Sequence, residues 1–82
     1  MCKKLKQDVS IGHNLKKYRL HADISQELVA TKLQVQGLDI SREIISQMER
    51  GKYNIRISEL LALSELYETP IQNFFADIDR FQ

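Results

Sequence analysis

Apolar residues recur at helical spacing along most of the chain. The first segment places them at intervals of four, three and four residues. This spacing aligns the side chains on one stripe of an amphipathic helix, and either Asp8 or Ser10 is expected to cap its start. No stretch shows sustained alternation of apolar and polar residues, so the pattern predicts no strand. The stripe consists of Ile11, Leu15, Tyr18 and Ala22.

Serines and glycines predict the bounds of the next two helices. Ser25 and Ser41 each precede a segment of helical spacing, and a serine hydroxyl is a favourable N-cap. Gly37 and Gly51 follow these segments and are the expected stops, because glycine adopts a left-handed backbone without strain. The predicted inward-facing residues are Val29, Ala30 and Leu33 in the first helix and Ile45 and Met48 in the second.

Two further apolar segments complete the chain. A fourth helix carries Ile57, Leu60, Leu61, Leu63 and Tyr67. Thr69 is then expected to cap a fifth helix, with Pro70 in its first turn, where no backbone N–H is needed. The apolar residues of that helix are Ile71, Phe74, Phe75, Ile78 and Phe81. The prediction is an all-α bundle of about five short helices over residues 10–82, preceded by a basic, flexible N-terminus at 1–9.

Composition narrows the class of protein. A chain of 82 residues fits one small domain. Charged residues make up 28% of it, and no apolar run approaches the length of a transmembrane helix. The basic first residues are not followed by an apolar stretch, so no signal peptide is expected. Cys2 is the only cysteine, which excludes an internal disulfide and favours a cytoplasmic location.

Charge is unevenly distributed although the net charge is only +1. Residues 1–21 contain six Lys or Arg against one Asp, and residues 42–56 contain four against two Glu. Residues 57–82 reverse the balance, with five acidic residues against one Arg. Such asymmetry can orient a protein over an anionic surface. Ordinary solvated faces are an equally good interpretation of the charges alone.

The two capped helices, predicted over 25–36 and 41–50, have the outline of a helix-turn-helix, whose second helix enters the major groove of DNA. Ser25-Gln26-Glu27 opens the first helix, and Glu49-Arg50-Gly51-Lys52 closes the second. The other residues of this pattern are Leu15, Arg19, Ile24, Ala30, Leu33, Ile45-Ser46-Gln47-Met48, Ile57, Leu60, Leu61, Leu63 and Pro70 to Phe75. With these residues the chain resembles the Cro/repressor-type (lambda-repressor-like, Xre-type) helix-turn-helix family of phage and bacterial transcription regulators.

The connection between the two helices departs from that family. Leu33 and Glu49 are sixteen residues apart, which is longer than the usual family spacing. We expect a longer first helix and a loop that places Leu38 and Ile40 in the core and leaves Asp39 exposed. The insertion either extends the packing or changes how the following helix projects. Ile44 is expected to pack beneath this loop, with contact to a thymine methyl group as the alternative.

The exposed face of helix 41–50 is predicted to contact bases. Arg42 can bind guanine O6 and N7 through two hydrogen bonds, and Gln47 can bind adenine N6 and N7 in the same way. Glu43 can accept a hydrogen bond from cytosine N4 or orient Arg42. Arg42 also lies in a first helical turn, where the helix dipole disfavours a cation, and this points to a functional role. The predicted base-contacting residues are Arg42, Glu43, Ser46 and Gln47, and a solvated polar face is the competing interpretation.

A second group is predicted to contact the sugar–phosphate backbone. The resemblance implies that Gln26, in the first turn of its helix, contacts a phosphate, although a simple surface glutamine is the alternative. The segment after helix 41–50 can grip the backbone through side chains and N–H groups. Its predicted contact residues are Lys52, Tyr53, Asn54 and Arg56.

The resemblance also implies an internal ion pair between Arg19 and Glu49. A pair of this kind fixes the angle of the reading helix more than it adds stability. A homodimer is expected as well, because one reading helix covers few base pairs. The proposed dimer face is the apolar stripe of Phe74, Phe75, Ile78 and Phe81, and closure of the monomer core by the same four residues is the alternative.

Catalysis and cofactors are not expected. His13 and His21 lack further ligands of metal-site spacing, and neither a phosphate-binding glycine loop nor an activated nucleophile is recognisable. No sensor domain is expected after residue 76, and no small-molecule ligand is expected for the chain. The sequence therefore predicts a sequence-specific DNA-binding transcription regulator, and a repressor is the preferred role. The alternative is a protein-interaction module, an antitoxin or an adaptor, on the same helical fold.

Overall fold

The structure, a computed structural model, describes residues 11–76. Within this range it contains four α-helices, a 3₁₀ helix and no strand. The all-α prediction is confirmed, whereas the fifth predicted α-helix is a 3₁₀ helix over the described residues. Asp8, Ser10, Ile78 and Phe81 lie outside the described residues. The elements are α1 (Gly12–His21), α2 (Gln26–Val35), α3 (Arg42–Glu49), α4 (Ile57–Leu66) and the 3₁₀ helix (Ile71–Phe75).

The predicted caps of α2 and α3 are confirmed. The Ser25 hydroxyl accepts a hydrogen bond from the Leu28 amide at 3.1 Å, and the Ser41 hydroxyl accepts one from the Ile44 amide at 3.2 Å. Gly37, with a φ of +92°, lies in the turn that ends α2. Each helix thus begins at the residue after its serine, because the serine oxygen satisfies an amide that has no partner within the helix.

The cap predicted for the fifth helix is wrong, and the two candidate caps of α1, Asp8 and Ser10, lie outside the described residues. The residue before α1 is Ile11, which makes no side-chain cap. Thr69 does not cap the last helix, because its buried hydroxyl donates to the Tyr67 carbonyl oxygen at 3.0 Å. Pro70 instead directly precedes the 3₁₀ helix, and its carbonyl oxygen accepts the Asn73 amide. Thr69 therefore belongs to the turn that ends α4.

Phe74 closes the core, which corrects its assignment to a dimer face. Its side chain is fully buried, and its ring makes edge contacts with Tyr18 and Tyr67 at centroid distances of 6.0 and 6.2 Å. Asn14 on α1 fixes this segment by donating to the carbonyl oxygens of Phe74 and Ala76 at 2.8 and 2.7 Å. Since Phe74 is enclosed by its own chain, it has no surface to offer a second subunit.

The long connection between α2 and α3 is a packed segment. Ile40 is fully buried, Leu38 is partly buried against the core, and Asp39 is exposed, as expected from the sequence. The Gln34 amide group donates to the Ile40 carbonyl oxygen at 2.8 Å. Ile44, in the first turn of α3, is also partly buried against the core. The insertion therefore supports the start of α3 from behind.

Candidate nucleic-acid interface

Helix α3 has one buried apolar face and one exposed polar face. Ile45 and Met48 are each only 1% exposed. The helical repeat places the four predicted base-contacting residues on the other side. Arg42, Glu43 and Gln47 are exposed there, and Ser46 is half-buried beside them. We call these four residues the reading face.

The last residue of α3, Glu49, forms an ion pair with Arg19 on α1. Arg19 Nε lies 2.6 Å from Glu49 Oε2, and Arg19 Nη2 donates to Glu49 Oε1 at 3.2 Å, so the contact is bidentate. Arg19 Nη1 also donates to the Ile24 carbonyl oxygen at 2.9 Å. The two side chains are 10% and 4% exposed. The hydrogen bond to Glu49 raises the pKa of Arg19, although burial acts in the opposite direction.

Gln26, the first residue of α2, joins this pair. Its Nε2 donates to Glu49 Oε1 at 3.0 Å, and its side chain is half-buried. The carboxylate of Glu49 thereby connects α1, α2 and α3 at one point. Gln26 was predicted as a phosphate contact, with a simple surface glutamine as the alternative, and its bond to Glu49 was not predicted. Nε2 carries two hydrogens, so this bond leaves one of them for another acceptor.

Gly12 brings the start of α1 against the end of α3. A Cβ atom at this position would lie 2.5 Å from the Met48 carbonyl oxygen and 2.6 Å from that of Glu49. Such distances are too short for any residue but glycine unless the backbone shifts. The contact places the positive end of the α1 dipole beside carbonyls at the negative end of α3, which is favourable. Gly12 thus sets the position of the end of α3.

A shallow depression of about 410 Å³ lies between the start of α2 and the start of α3. Arg42 of the reading face and Arg19 contribute its positive charge, and Glu27 its negative charge. Helix N-termini attract anions because their amides and dipole present positive charge. The depression is lined by Arg19, Ser25, Gln26, Glu27 and Arg42.

The segment after α3 is organised by Glu59. Glu59 is only 4% exposed. Its carboxylate accepts hydrogen bonds from the Tyr53 hydroxyl at 3.1 Å and from the Arg56 amide at 2.9 Å. Burial and the bond to Glu59 raise the pKa of Tyr53. The side chains of Lys52, Asn54 and Arg56 are exposed. Three of the four predicted contact residues of this segment are therefore exposed, whereas the Tyr53 hydroxyl is hydrogen-bonded within the protein.

Comparison with known families identifies this arrangement. The profile described as helix-turn-helix matches residues 15–74, which is 60 of the 82 residues and spans α2, α3 and the network around Glu49. The chain belongs to the helix-turn-helix family. The predicted Cro/repressor-type, Xre-like membership is confirmed, and with it the general class of DNA-binding transcription regulators. Neither a curated protein nor a solved structure matches the chain.

The helix-turn-helix unit depends on three residues that the sequence did not reveal as structural. No sequence pattern at Gly12 or Asn14 predicts their contacts, because those contacts join residues far apart in the chain. Glu59 could have been found, since a glutamate three residues after the start of a helix commonly accepts the backbone amide there. The amide that Glu59 accepts is that of Arg56, the residue directly before α4.

The described residues contain neither a metal-binding cluster nor a membrane-spanning helix. Within residues 11–76, no three or more His, Cys, Asp or Glu side chains are grouped so as to hold a metal ion. His13 and His21 are exposed on α1, and the ring of His21 contacts that of Tyr18. No helix in the same range has the length and apolar character needed to cross a membrane.

Proposed function

We propose that this helix-turn-helix protein is a sequence-specific transcription repressor of the cytoplasm that inserts α3 into the major groove of DNA. The observation that carries the proposal is the reading face itself. Polar side chains stand out from α3 while Ile45 and Met48 behind them are buried. The three-way contact at Glu49 fixes the end of the same helix. A helix supported in this way can present side chains to base edges at a constant tilt.

The four side chains of the reading face have complementary roles. Arg42 is suited to guanine and Gln47 to adenine, each through two parallel hydrogen bonds. Glu43 accepts from cytosine N4, and the Ser46 hydroxyl can donate or accept. Each good bidentate contact discriminates against the wrong base by about 1–3 kcal/mol. These contacts choose the sequence.

The remaining contacts set affinity. Gln26 uses its second amide hydrogen for a phosphate beside the start of α2, where the depression with Arg42 lies. Lys52, Asn54 and Arg56, in the segment that follows α3, contact the DNA backbone as well, and Tyr53 contributes through its main chain. Phosphate contacts carry no sequence information, so their removal weakens binding to all duplexes.

A homodimer is part of the proposal, because two half-sites give useful specificity. Of the dimer face predicted from the sequence, Phe75 is 48% exposed, Phe74 is buried, and Ile78 and Phe81 lie outside the described residues. No small-molecule ligand is proposed.

Binding to a random pool of duplexes over a range of salt concentrations tests the function. The proposal predicts retention that falls steeply as salt rises, because binding releases counterions from the phosphates. Lys52→Ala should weaken retention of every duplex alike, and Lys16→Ala on the exposed side of α1 is the matched control. Co-purification with a protein partner and no duplex retention at low salt would overturn the proposal in favour of an interaction module such as an antitoxin or adaptor.

A further inference from the structure

A nearly buried carboxylate bonds to the segment that the proposed function assigns to the DNA backbone. Glu59, in the first turn of α4, is only 4% exposed, and among residues 11–76 it forms no ion pair. Burial of a carboxylate without a cation partner is costly, and a negative charge close to phosphates also repels them. A charge that is unfavourable on both counts indicates a role that offsets these costs.

The Glu59 carboxylate bonds to both ends of residues 53–56. Its Oε2 accepts the hydrogen bond of the Tyr53 hydroxyl at 3.1 Å, and its Oε1 accepts that of the Arg56 amide at 2.9 Å. An ionised acceptor makes such bonds stronger than neutral ones. One side chain of α4 therefore spans this part of the connection between α3 and α4 and restricts its shape.

The main chain between these two bonds is open to other partners. Among residues 11–76, no atom accepts a hydrogen bond from the amides of Tyr53, Asn54 or Ile55. Amides without an internal partner bond to water or to an acceptor such as a phosphate oxygen. The direction in which these three amides point depends on the shape of the segment, and that shape depends on the two bonds to Glu59.

We propose that Glu59 is a positioning residue for DNA binding, which holds residues 53–56 in the shape that meets the sugar–phosphate backbone. The role rests on the proposed function and makes it more specific, because Glu59 acts through the segment and does not itself touch DNA. A segment that is already ordered loses less conformational entropy on binding. Since phosphate contacts carry no sequence information, Glu59 raises the affinity for every duplex and leaves the choice of sequence to α3.

Removal of the charge separates positioning from electrostatics by the sign of the effect. Glu59→Gln deletes a negative charge, so repulsion of phosphates alone predicts tighter binding. Positioning predicts an affinity about fivefold lower for every duplex, because only one atom of the glutamine amide group can accept a hydrogen bond. Glu65→Gln, at an exposed glutamate of the same helix, is the matched control and should not weaken binding. Unchanged or tighter binding by Glu59→Gln overturns the proposal.

Tyr53→Phe tests the same bond without a change of charge. Tyr53 is half-buried, so this variant should fold even if Glu59→Gln is too unstable to be measured. It should also bind every duplex several-fold more weakly, and loss of one phosphate contact lowers the slope of log affinity against log salt by about 0.9. The double variant should bind no more weakly than Glu59→Gln alone, because both substitutions break one bond. Additive losses overturn the proposal, since the hydroxyl then contacts DNA by itself.

Backbone ¹⁵N relaxation of the DNA-free protein tests the positioning role without a duplex. Tyr53→Phe should lower the order parameters of residues 53–55 and leave those of Leu63, in the core of α4, unchanged. Equal order of the segment in both proteins overturns the role of Glu59 even if the variant binds DNA more weakly. A wild-type protein that retains no duplex overturns the proposed function itself, whereas normal retention with unaffected variants overturns only the role of Glu59.

Discussion

The two ends of α3 differ sharply in how the protein supports them. At its C-terminal end, Glu49 bonds to Arg19 and Gln26, and Gly12 brings backbone against backbone. At its N-terminal end, Ser41 caps the helix and Arg42 projects freely. Within one short helix, the residue that fixes the helix in place is therefore distinct from the residues proposed to recognise bases. Changes at the C-terminal end should alter stability and DNA binding together, whereas changes of the exposed side chains at the N-terminal end should alter sequence preference alone.

The largest effect is expected from Glu49→Ala. The substitution leaves the Arg19 guanidinium nearly buried without its charge partner, and breaking a buried pair in this way costs about 3–5 kcal/mol. Chemical denaturation should therefore show a large loss in the free energy of unfolding, and duplex affinity should fall with it. Glu43→Ala, an exposed glutamate of the same helix, is the control and should leave stability nearly unchanged. A Glu49→Ala protein of full stability and affinity would show that the pair is irrelevant.

Gly12→Ala should have the next largest effect. The added methyl group meets the carbonyl oxygens of Met48 and Glu49, so the start of α1 and the end of α3 must move apart. Overpacking of this kind costs about 1–3 kcal/mol and outweighs the gain in helix propensity of up to about 1 kcal/mol. Thermal unfolding measures the balance, with the exposed neighbour His13→Ala as control. An increase in stability would mean that the two helix ends do not constrain each other.

Stability at alkaline pH provides a smaller test of the packing around the C-terminal end of α3. Burial, with a contribution from Glu49, raises the pKa of Tyr67 above its ordinary value of 10. The folded protein therefore retains a proton that the unfolded chain loses, so this residue's contribution to stability is complete below pH 10 and falls above it. The decline is at most about 1.4 kcal/mol per pH unit. Tyr67→Phe should flatten the fall in unfolding free energy above pH 10, and an unchanged slope would contradict the enclosure of that hydroxyl.

Local patterns predicted local structure well. Ser25, Ser41 and Gly37 mark helix bounds because a cap or a left-handed turn depends on a few neighbouring atoms. The stripe containing Phe74 was ambiguous for the opposite reason. An apolar stripe shows that a face is covered, but not whether its own chain or another covers it. Only the contacts with Tyr18 and Tyr67 assign Phe74 to the core.

The sequence indicates which residues form the candidate site better than it indicates how those residues bond to one another. The reading face follows from helical spacing, and the Arg19–Glu49 contact was implied by the family resemblance. The third partner, Gln26, was not, because a glutamine in a first helical turn carries no sign of what its amide meets. The close backbone contact at Gly12 could not be predicted either, because the spacing of apolar residues describes side chains and glycine has none.

The most direct test of the account compares duplexes selected from a random pool by the wild-type protein and by Arg42→Ala and Gln47→Ala variants. Both substitutions lie on an exposed face, so stability should change by no more than about 0.5 kcal/mol. The account predicts that each variant loses preference at one or two base positions per half-site and keeps the rest of the consensus. Selection of the same full consensus by all three proteins would contradict it, because α3 would then not be the helix that reads the bases.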